Sequence, residues 1–306
     1  MPSTRSNLNP KSDLAAGAQL NFEAIGTMWQ VSLGESLSSA QFVAFEQLIL
    51  ERIDQFDHHY SRFRQDSLVT AMATEPGRYR LPDDAEPMLD LYQQMYVLTG
   101  GAVTPLIGQL LSDAGYDAQY TLSPRALSAP PSWKEALQYK FPNLTLHEPA
   151  ILDFGAVGKG YLVDIIASLL QKSGIKYFCI DAGGDLIYRG RPDESLDVGL
   201  EHPDDPAKVI GVAHLRGQSL CGSAGNRRAW AGFNHIINPH TLQSPKHIKA
   251  VWVVAQTTML ADALTTALYF TPAHILQKTY KFEYAILCSN YSIDYSAYFP
   301  AEFFIS

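Results

Sequence analysis

Apolar residues recur three and four positions apart through SSAQFVAFEQLILERIDQFDHHYS, behind serines suited to start a helix, so the pattern predicts a helix there. Just upstream, FEAIGTMWQVSLG has strand character with a glycine interruption. AEPMLDLYQQMYVLTGG reads as a second helix closed by Gly100 and Gly101, and Pro105 suits the first turn of a third, short one. From 114 to 148 the chain is loop-rich, punctuated by SAPPSW. AILDFGAVGKGYLVDIIASLLQKSGIKYFCIDAGGDLIYRG then reads strand, glycine turn, helix, strand, glycine turn, strand. Short strands around 196 to 216, the HIINP segment, strand AVWVVA, helix LADALTTALYF and strand YAILCS complete the series. Helices and strands interleave irregularly, which predicts an α+β fold: a mixed or largely antiparallel sheet core with packed helices. Residues 1–20 lack periodicity and read as a flexible N-terminal tail; no clean boundary divides 21–306, so one domain is expected there.

Composition narrows the function. With 306 residues, 46% of them hydrophobic and 18% charged, the chain has enough apolar material for a substantial core. A net charge of −8 and the lack of a Lys/Arg-rich run argue against general nucleic-acid binding, while leaving room for a local basic patch. Cys179, Cys221 and Cys288 lack metal-type spacing and are odd in number, so buried reduced thiols are expected. The N-terminus has no apolar run suited to a signal peptide or membrane span, and a cytoplasmic location is the expectation.

Several local patterns can carry chemistry, each beside a plainer reading. Gly155, Gly158 and Gly160 in DFGAVGKG either let a backbone and helix N-terminus approach an anion or allow tight packing. Asp153 offers an acceptor there. DAGGD, Asp181 to Asp185, taken alone is a hairpin turn flanked by solvated carboxylates. Beside the first turn, though, it can face a common cleft. Asp262 and Thr266 stand four apart on one helix face, where a carboxylate and a hydroxyl suit magnesium; equally, the Asp can be a cap and the Thr can bond back to a carbonyl. Arg228 is a fixed-charge donor suited to phosphate, and His235 is either a turn residue or a base.

Taken in order, IGTMW, YSRFRQDS, TGGAVTPLIGQLL, LDFGAVGKGYLVD, DAGGDLIYRG, GSAGNRR, HIINPHT and LADALTTAL resemble the FAD:protein FMN transferase (ApbE) family over about residues 22 to 290. The resemblance implies an ApbE-like, T-fold-related architecture. It implies an enzyme that binds FAD with magnesium, cleaves the pyrophosphate, attaches FMN through a phosphoester to a Thr or Ser of an acceptor protein, and releases AMP. His235 falls at the place of the base. Ile25, Phe63, Ala102, Val103, Thr104, Asp153, Lys159 and Ile237 fall at positions that contact FAD in the family. Ser223 and Arg228 lie in the segment that approaches the phosphates, and Ala156, through its backbone carbonyl, joins Asp262 and Thr266 as the implied metal ligands.

The chain departs from the family pattern at several of these places. Thr104 and Asn238 stand where Asp is usual, Asp181 replaces a common Asn, Ala224 a usual Gly, and Thr265 stands where some members have a further carboxylate. These departures bear on affinity and rate more than on fold. Two alternatives stay open: a metal-dependent FAD pyrophosphatase releasing FMN and AMP, with water in place of the acceptor hydroxyl, and a non-catalytic FAD-binding protein, which the Thr104 and Asn238 departures support.

Overall fold

FCIDA and AVWVVA are buried at every position, and a strand can bury all its side chains only if both faces of its sheet are covered. The computed structural model, which describes residues 17–304, has that arrangement. In chain order the first half contains β1 (Gln19–Ala24), β2 (Thr27–Leu33), α1 (Ser39–Tyr60), α2 (Leu68–Met72), β3 (Gly77–Arg80), α3 (Glu86–Leu98), a 3₁₀ turn over Pro105–Ile107, α4 (Gly108–Asp113), α5 (Trp133–Ala136), β4 (Leu137–Lys140) and β5 (Asn143–Leu146). The second half contains α6 (Gly158–Lys172), β6 (Phe178–Ala182), β7 (Asp185–Arg189), β8 (Leu196–His202), β9 (Asp205–Leu215), β10 (Ser219–Ala224), β11 (Ala229–Trp230), β12 (Phe233–Asn234), β13 (Ile248–Ala255), α7 (Thr258–Ala267), α8 (Ala273–Leu276), β14 (Glu283–Cys288), β15 (Ile293–Tyr295) and β16 (Ala301–Phe303).

Among the described residues, the largest sheet has eight strands in the order β1-β2-β6-β7-β10-β13-β14-β15. Its neighbours all pair antiparallel. Alternate residues of β6 and β13 serve two cores. Phe178, Ile180, Val251 and Val253 pack with the helices, whereas Cys179, Ala250, Trp252 and Val254 pack under the three-stranded sheet β16-β9-β8. The expected α+β fold is therefore a central antiparallel sheet between a helical layer and a smaller sheet. Among the described residues no helix is long and apolar enough to cross a membrane.

Three expectations need adjusting. The strand read over ILDF is extended chain without strand pairing, because its Asp153 amide bonds the Pro105 carbonyl at 2.8 Å, out of any sheet. The stretch from 114 to 148 contains α5 and the β4–β5 hairpin, which pairs with β3; short strands separated by two residues gave too little alternation to show in the pattern. Strand β1 already begins at Gln19, inside the stretch read as a tail, and residues 1–16 lie outside the described residues.

The pair α6 and α7 positions the site. Asp164 of α6 accepts hydrogen bonds from the Thr258 and Met259 amides at 2.9 and 2.8 Å, in the first turn of α7. Asp262 of α7 accepts from the Gly160 amide at 2.9 Å, in the first turn of α6. Each carboxylate thus satisfies amides that the other helix leaves open at its N-terminus. The helices touch closely enough that a Cβ on Gly160 would lie 2.4 Å from the Thr258 carbonyl oxygen and 2.6 Å from the Asp262 Cβ. Gly160→Ala is therefore expected to cost about 1–3 kcal/mol of stability. Urea unfolding checks this, and an unchanged midpoint would mean that the helices can part without loss.

Candidate active site

Two tight hairpins meet at one end of the large sheet. Ile25 and Gly26 join β1 to β2 with φ of 43° and 72°, a turn that demands left-handed backbone at both residues. A β-branched residue is strained there, so Ile25 marks a constrained position. On the neighbouring strand pair, Gly183 and Gly184 join β6 to β7. A Cβ on Gly183 would lie 2.0 Å from the Thr27 hydroxyl, and one on Gly184 2.9 Å from Arg227 Nη1. DAGGD is thus the hairpin turn its sequence suggests, but its carboxylates are not solvated: Asp181 and Asp185 are buried. Asp181 accepts the Gly184 amide at 2.8 Å, and Asp185 forms an ion pair with Lys159, at the start of α6.

Cations gather above these turns. Arg227 donates to the Gly183 carbonyl at 2.8 Å and pairs with Glu201 at 3.5 Å. Arg228 donates to the Tyr116 hydroxyl at 2.8 Å, and its Nη2 would lie 4.0 Å from a Cβ on Gly26. The His235 amide bonds the Arg228 carbonyl at 3.2 Å, while His235 Nδ1 is buried without a partner. Burial, followed by the charges of Arg228, Lys159 and Arg227, pushes the His235 pKa down to about 3, with Asp153 opposing them. The imidazole is consequently neutral across the ordinary pH range, with a lone pair available, but it is a weak base while these charges are unopposed. Burial pushes Lys159 downward as well, against the attraction of Asp262.

The turn after His235 is built by its own side chains. Asn238 Oδ1 accepts the amides of His240 and Thr241 at 2.8 and 3.2 Å, the local bonding that a carboxylate would also supply. Ile237 is buried with Leu110, Tyr116 and Trp230, which anchors the turn. His240 reaches the Gly100 carbonyl at 3.0 Å and ties this turn to the segment carrying Ala102, Val103 and Thr104. Those three residues are buried, and the Thr104 hydroxyl accepts the Leu106 amide at 3.2 Å. Where Asp is usual, Thr104 therefore caps the 3₁₀ turn. An open hollow of about 450 Å³, lined by Trp230, Phe233, Asn234, Ser244 and Lys246 among others, lies over the β11–β12 hairpin, and His235 is not part of its lining.

Asp153 joins these pieces from below. Its carboxylate accepts the Gly155 amide at 2.8 Å and Arg62 Nε at 2.5 Å, while Arg62 lies against the rings of Phe63 and Tyr116. Ala156 sits in the same turn, just ahead of α6. Asp262, buried, and Thr266, half-buried, lie one turn apart on α7. Asp262 is thus neither near its own helix start nor its cap; it caps α6. The backward hydroxyl bond is made by Thr265, to the Asp262 carbonyl at 2.7 Å. Ser223 on β10 connects to α7 through Tyr269, whose hydroxyl donates to the Ser223 carbonyl at 3.0 Å.

The donor chemistry fits a hard cation. A carboxylate, a hydroxyl and a peptide carbonyl are all oxygen ligands of the kind magnesium prefers, and burial raises the Asp262 pKa, so a cation beside it would favour the ionised form. Among the described residues no cluster of three or more His, Cys, Asp or Glu is placed to hold a metal, so such an ion depends on neutral oxygens and on anionic ligand groups. The sequence patterns missed Arg62, Tyr116 and Arg227, and Asp185, read only as a flanking carboxylate of its turn, proved to be the partner of Lys159. The first lay inside YSRFRQDS beside Phe63, where an arginine between aromatic residues was the available signal.

The ApbE family model matches residues 25–285. The FAD:protein FMN transferase of Klebsiella pneumoniae (strain 342) is 24% identical over 286 residues, covering 85% of this chain and 80% of that protein. That of Escherichia coli (strain K12) is 24% identical over 277 residues, covering 81% and 77%. Among solved structures, the ApbE protein of Thermotoga maritima superposes with a TM-score of 0.80 at 20% identity, over 94% of this chain and 100% of that one. The flavin transferase ApbE of Vibrio cholerae gives 0.75 at 18% identity, over 92% and 97%. With the family match spanning most of its length and the fold shared over 94% of the chain, this chain belongs to the ApbE family.

Proposed function

We infer that this chain is an FAD:protein FMN transferase: it cleaves the pyrophosphate of FAD, joins FMN through a phosphoester to a Thr or Ser hydroxyl of an acceptor protein, and releases AMP. The observation that carries the chemistry is a neutral, partner-free His235 nitrogen surrounded by Arg227, Arg228 and Lys159. In this reading one domain over 21–306 does the work. The free cysteines Cys179, Cys221 and Cys288 support a reducing, cytoplasmic location, with the acceptor in the same compartment.

The cationic residues bind the pyrophosphate, and His235 takes the proton of the acceptor hydroxyl as its oxygen bonds to the FMN phosphorus. The bond from that phosphorus to the AMP oxygen breaks, and AMP leaves as the anion. Asp262, Thr266 and the Ala156 carbonyl would hold magnesium, which neutralises pyrophosphate charge when bound. Ile25, Phe63, Ala102, Val103, Thr104, Asp153, Ile237 and Ser223 line the FAD seat. An arriving pyrophosphate offsets the same cationic field that depresses His235, so substrate binding makes the base stronger.

Incubation with FAD, magnesium and an acceptor protein should give covalently bound flavin and an equal amount of AMP. His235→Gln should slow that reaction by about 10²–10⁴-fold. AMP without covalent flavin would instead indicate the pyrophosphatase, and tight FAD retention without either product the binding protein. The acid limb of kcat/KM, which reports the free protein, should lie at lower pH than the acid limb of kcat, which reports the complex. Coincident limbs would remove the substrate-strengthened base. Linkage has a matching sign: a folded pKa below the unfolded value of 6.5 makes His235 a source of stability lost as pH falls from 6.5 toward 3, a loss that His235→Gln should lessen in acid melting curves.

Asp262→Asn separates cap from metal ligand. The amide oxygen can still accept the Gly160 N–H, whereas the charge is gone, so the melting temperature should hold while the magnesium needed for half-maximal rate rises about tenfold or more. Unchanged magnesium dependence would leave Asp262 as a helix cap alone.

A further inference from the structure

Arg62 and Arg64 stand two residues apart and are treated oppositely by the fold. Arg64 meets the carboxylates of Asp54, Asp57 and Asp66. The Arg62 side chain is only 4% exposed, yet it meets one carboxylate, Asp153, through Nε. An arginine–carboxylate pair built for stability normally uses two parallel bonds. Here the second Asp153 oxygen is taken by the Gly155 amide, and Arg62 Nη2 is buried with no partner. A buried charged group with an unmet donor is costly unless something else meets that donor.

The surroundings indicate what would meet it. The Arg62 guanidinium lies 4.2 Å from the Phe63 ring centroid and 5.0 Å from that of Tyr116, so it shares an aromatic wall. On that wall Tyr120 stacks on Phe63, with centroids 5.3 Å apart and planes within 14°. Tyr120 is 52% exposed, and both it and Leu122 hold left-handed backbone, at φ of 51° and 52°. An exposed ring on a strained loop, stacked parallel on the half-buried Phe63, is placed as a replaceable occupant of a flat seat.

We propose that Arg62 is a ligand-binding residue of this site: its free Nη2 donates to an acceptor on a ring edge of FAD, seated against Phe63 in place of Tyr120. This rests on the transferase reading, since the ligand must be FAD. Two rings of FAD, adenine and isoalloxazine, carry such acceptors. Arg62 also holds the Asp153 carboxylate, so a lysine in its place keeps a cation against Asp153 but lacks the second, forked donor for the ring.

The test titrates FAD, AMP and FMN separately into the unaltered protein, Arg62→Lys and Arg62→Met, read by flavin fluorescence or calorimetry, with ligand-free melting measured alongside. Both variants should weaken FAD binding about 10–100-fold, the worth of one charge-assisted hydrogen bond. AMP or FMN, whichever loses affinity in parallel, identifies the ring. Arg62→Lys, which keeps a cation against Asp153, should fold even if Arg62→Met does not. Wild-type FAD affinity in Arg62→Lys, or loss for neither half of the ligand, overturns the proposal while leaving the transferase reading standing. Failure of the unaltered protein to bind FAD sinks both.

Discussion

Asp164 and Asp262 each close the open end of the other's helix, and the approach that makes this mutual depends on the bare backbone of Gly160. The rest of the site hangs from that contact. It fixes the start of α6, which carries Lys159 and follows the turn of Asp153 and Ala156, against the face of α7 that carries Asp262 and Thr266. One carboxylate therefore has two partners to serve: the Gly160 amide, which needs any acceptor, and a cation, which needs charge. Because the helix pair covers one face of the central sheet, the same contact sets where the hairpin turns of β1–β2 and β6–β7 meet the helix ends.

Electrostatics at the site run against the charge of the whole protein. The chain is acidic, at −8, but Lys159, Arg227, Arg228 and Arg62 converge near His235 and Asp153. Carboxylates and carbonyls from the fold hold each in place: Asp185 for Lys159, the Gly183 carbonyl for Arg227, Asp153 for Arg62. Arg228 instead uses the Tyr116 hydroxyl, which leaves its charge uncancelled. Such a cluster favours an anion locally on a chain whose net charge is negative.

Much of this was legible in the chain. Long periodic segments announced α1, α3, α6 and α7, and the apolar AVWVVA announced a strand. The glycine turns were visible as turns, and the order of motifs named the family that the comparison then matched over residues 25–285. Less legible were the β3–β5–β4 sheet, whose strands have four residues each, and the unpaired ILDF, whose apolar content mimics a strand although its amides bond elsewhere.

The sequence by itself determined the periodic elements, the turns and the order of the motif set, because these depend on neighbours within a few residues along the chain. Only the tertiary structure decided what the polar groups do. Asp262 became the cap of a helix 102 residues away, Asp185 the counter-ion of Lys159, and Arg62 a buried guanidinium with a donor to spare. No local pattern encodes those roles, since burial sets the cost of an unmet charge and the sheet order sets which partner is near enough to meet it.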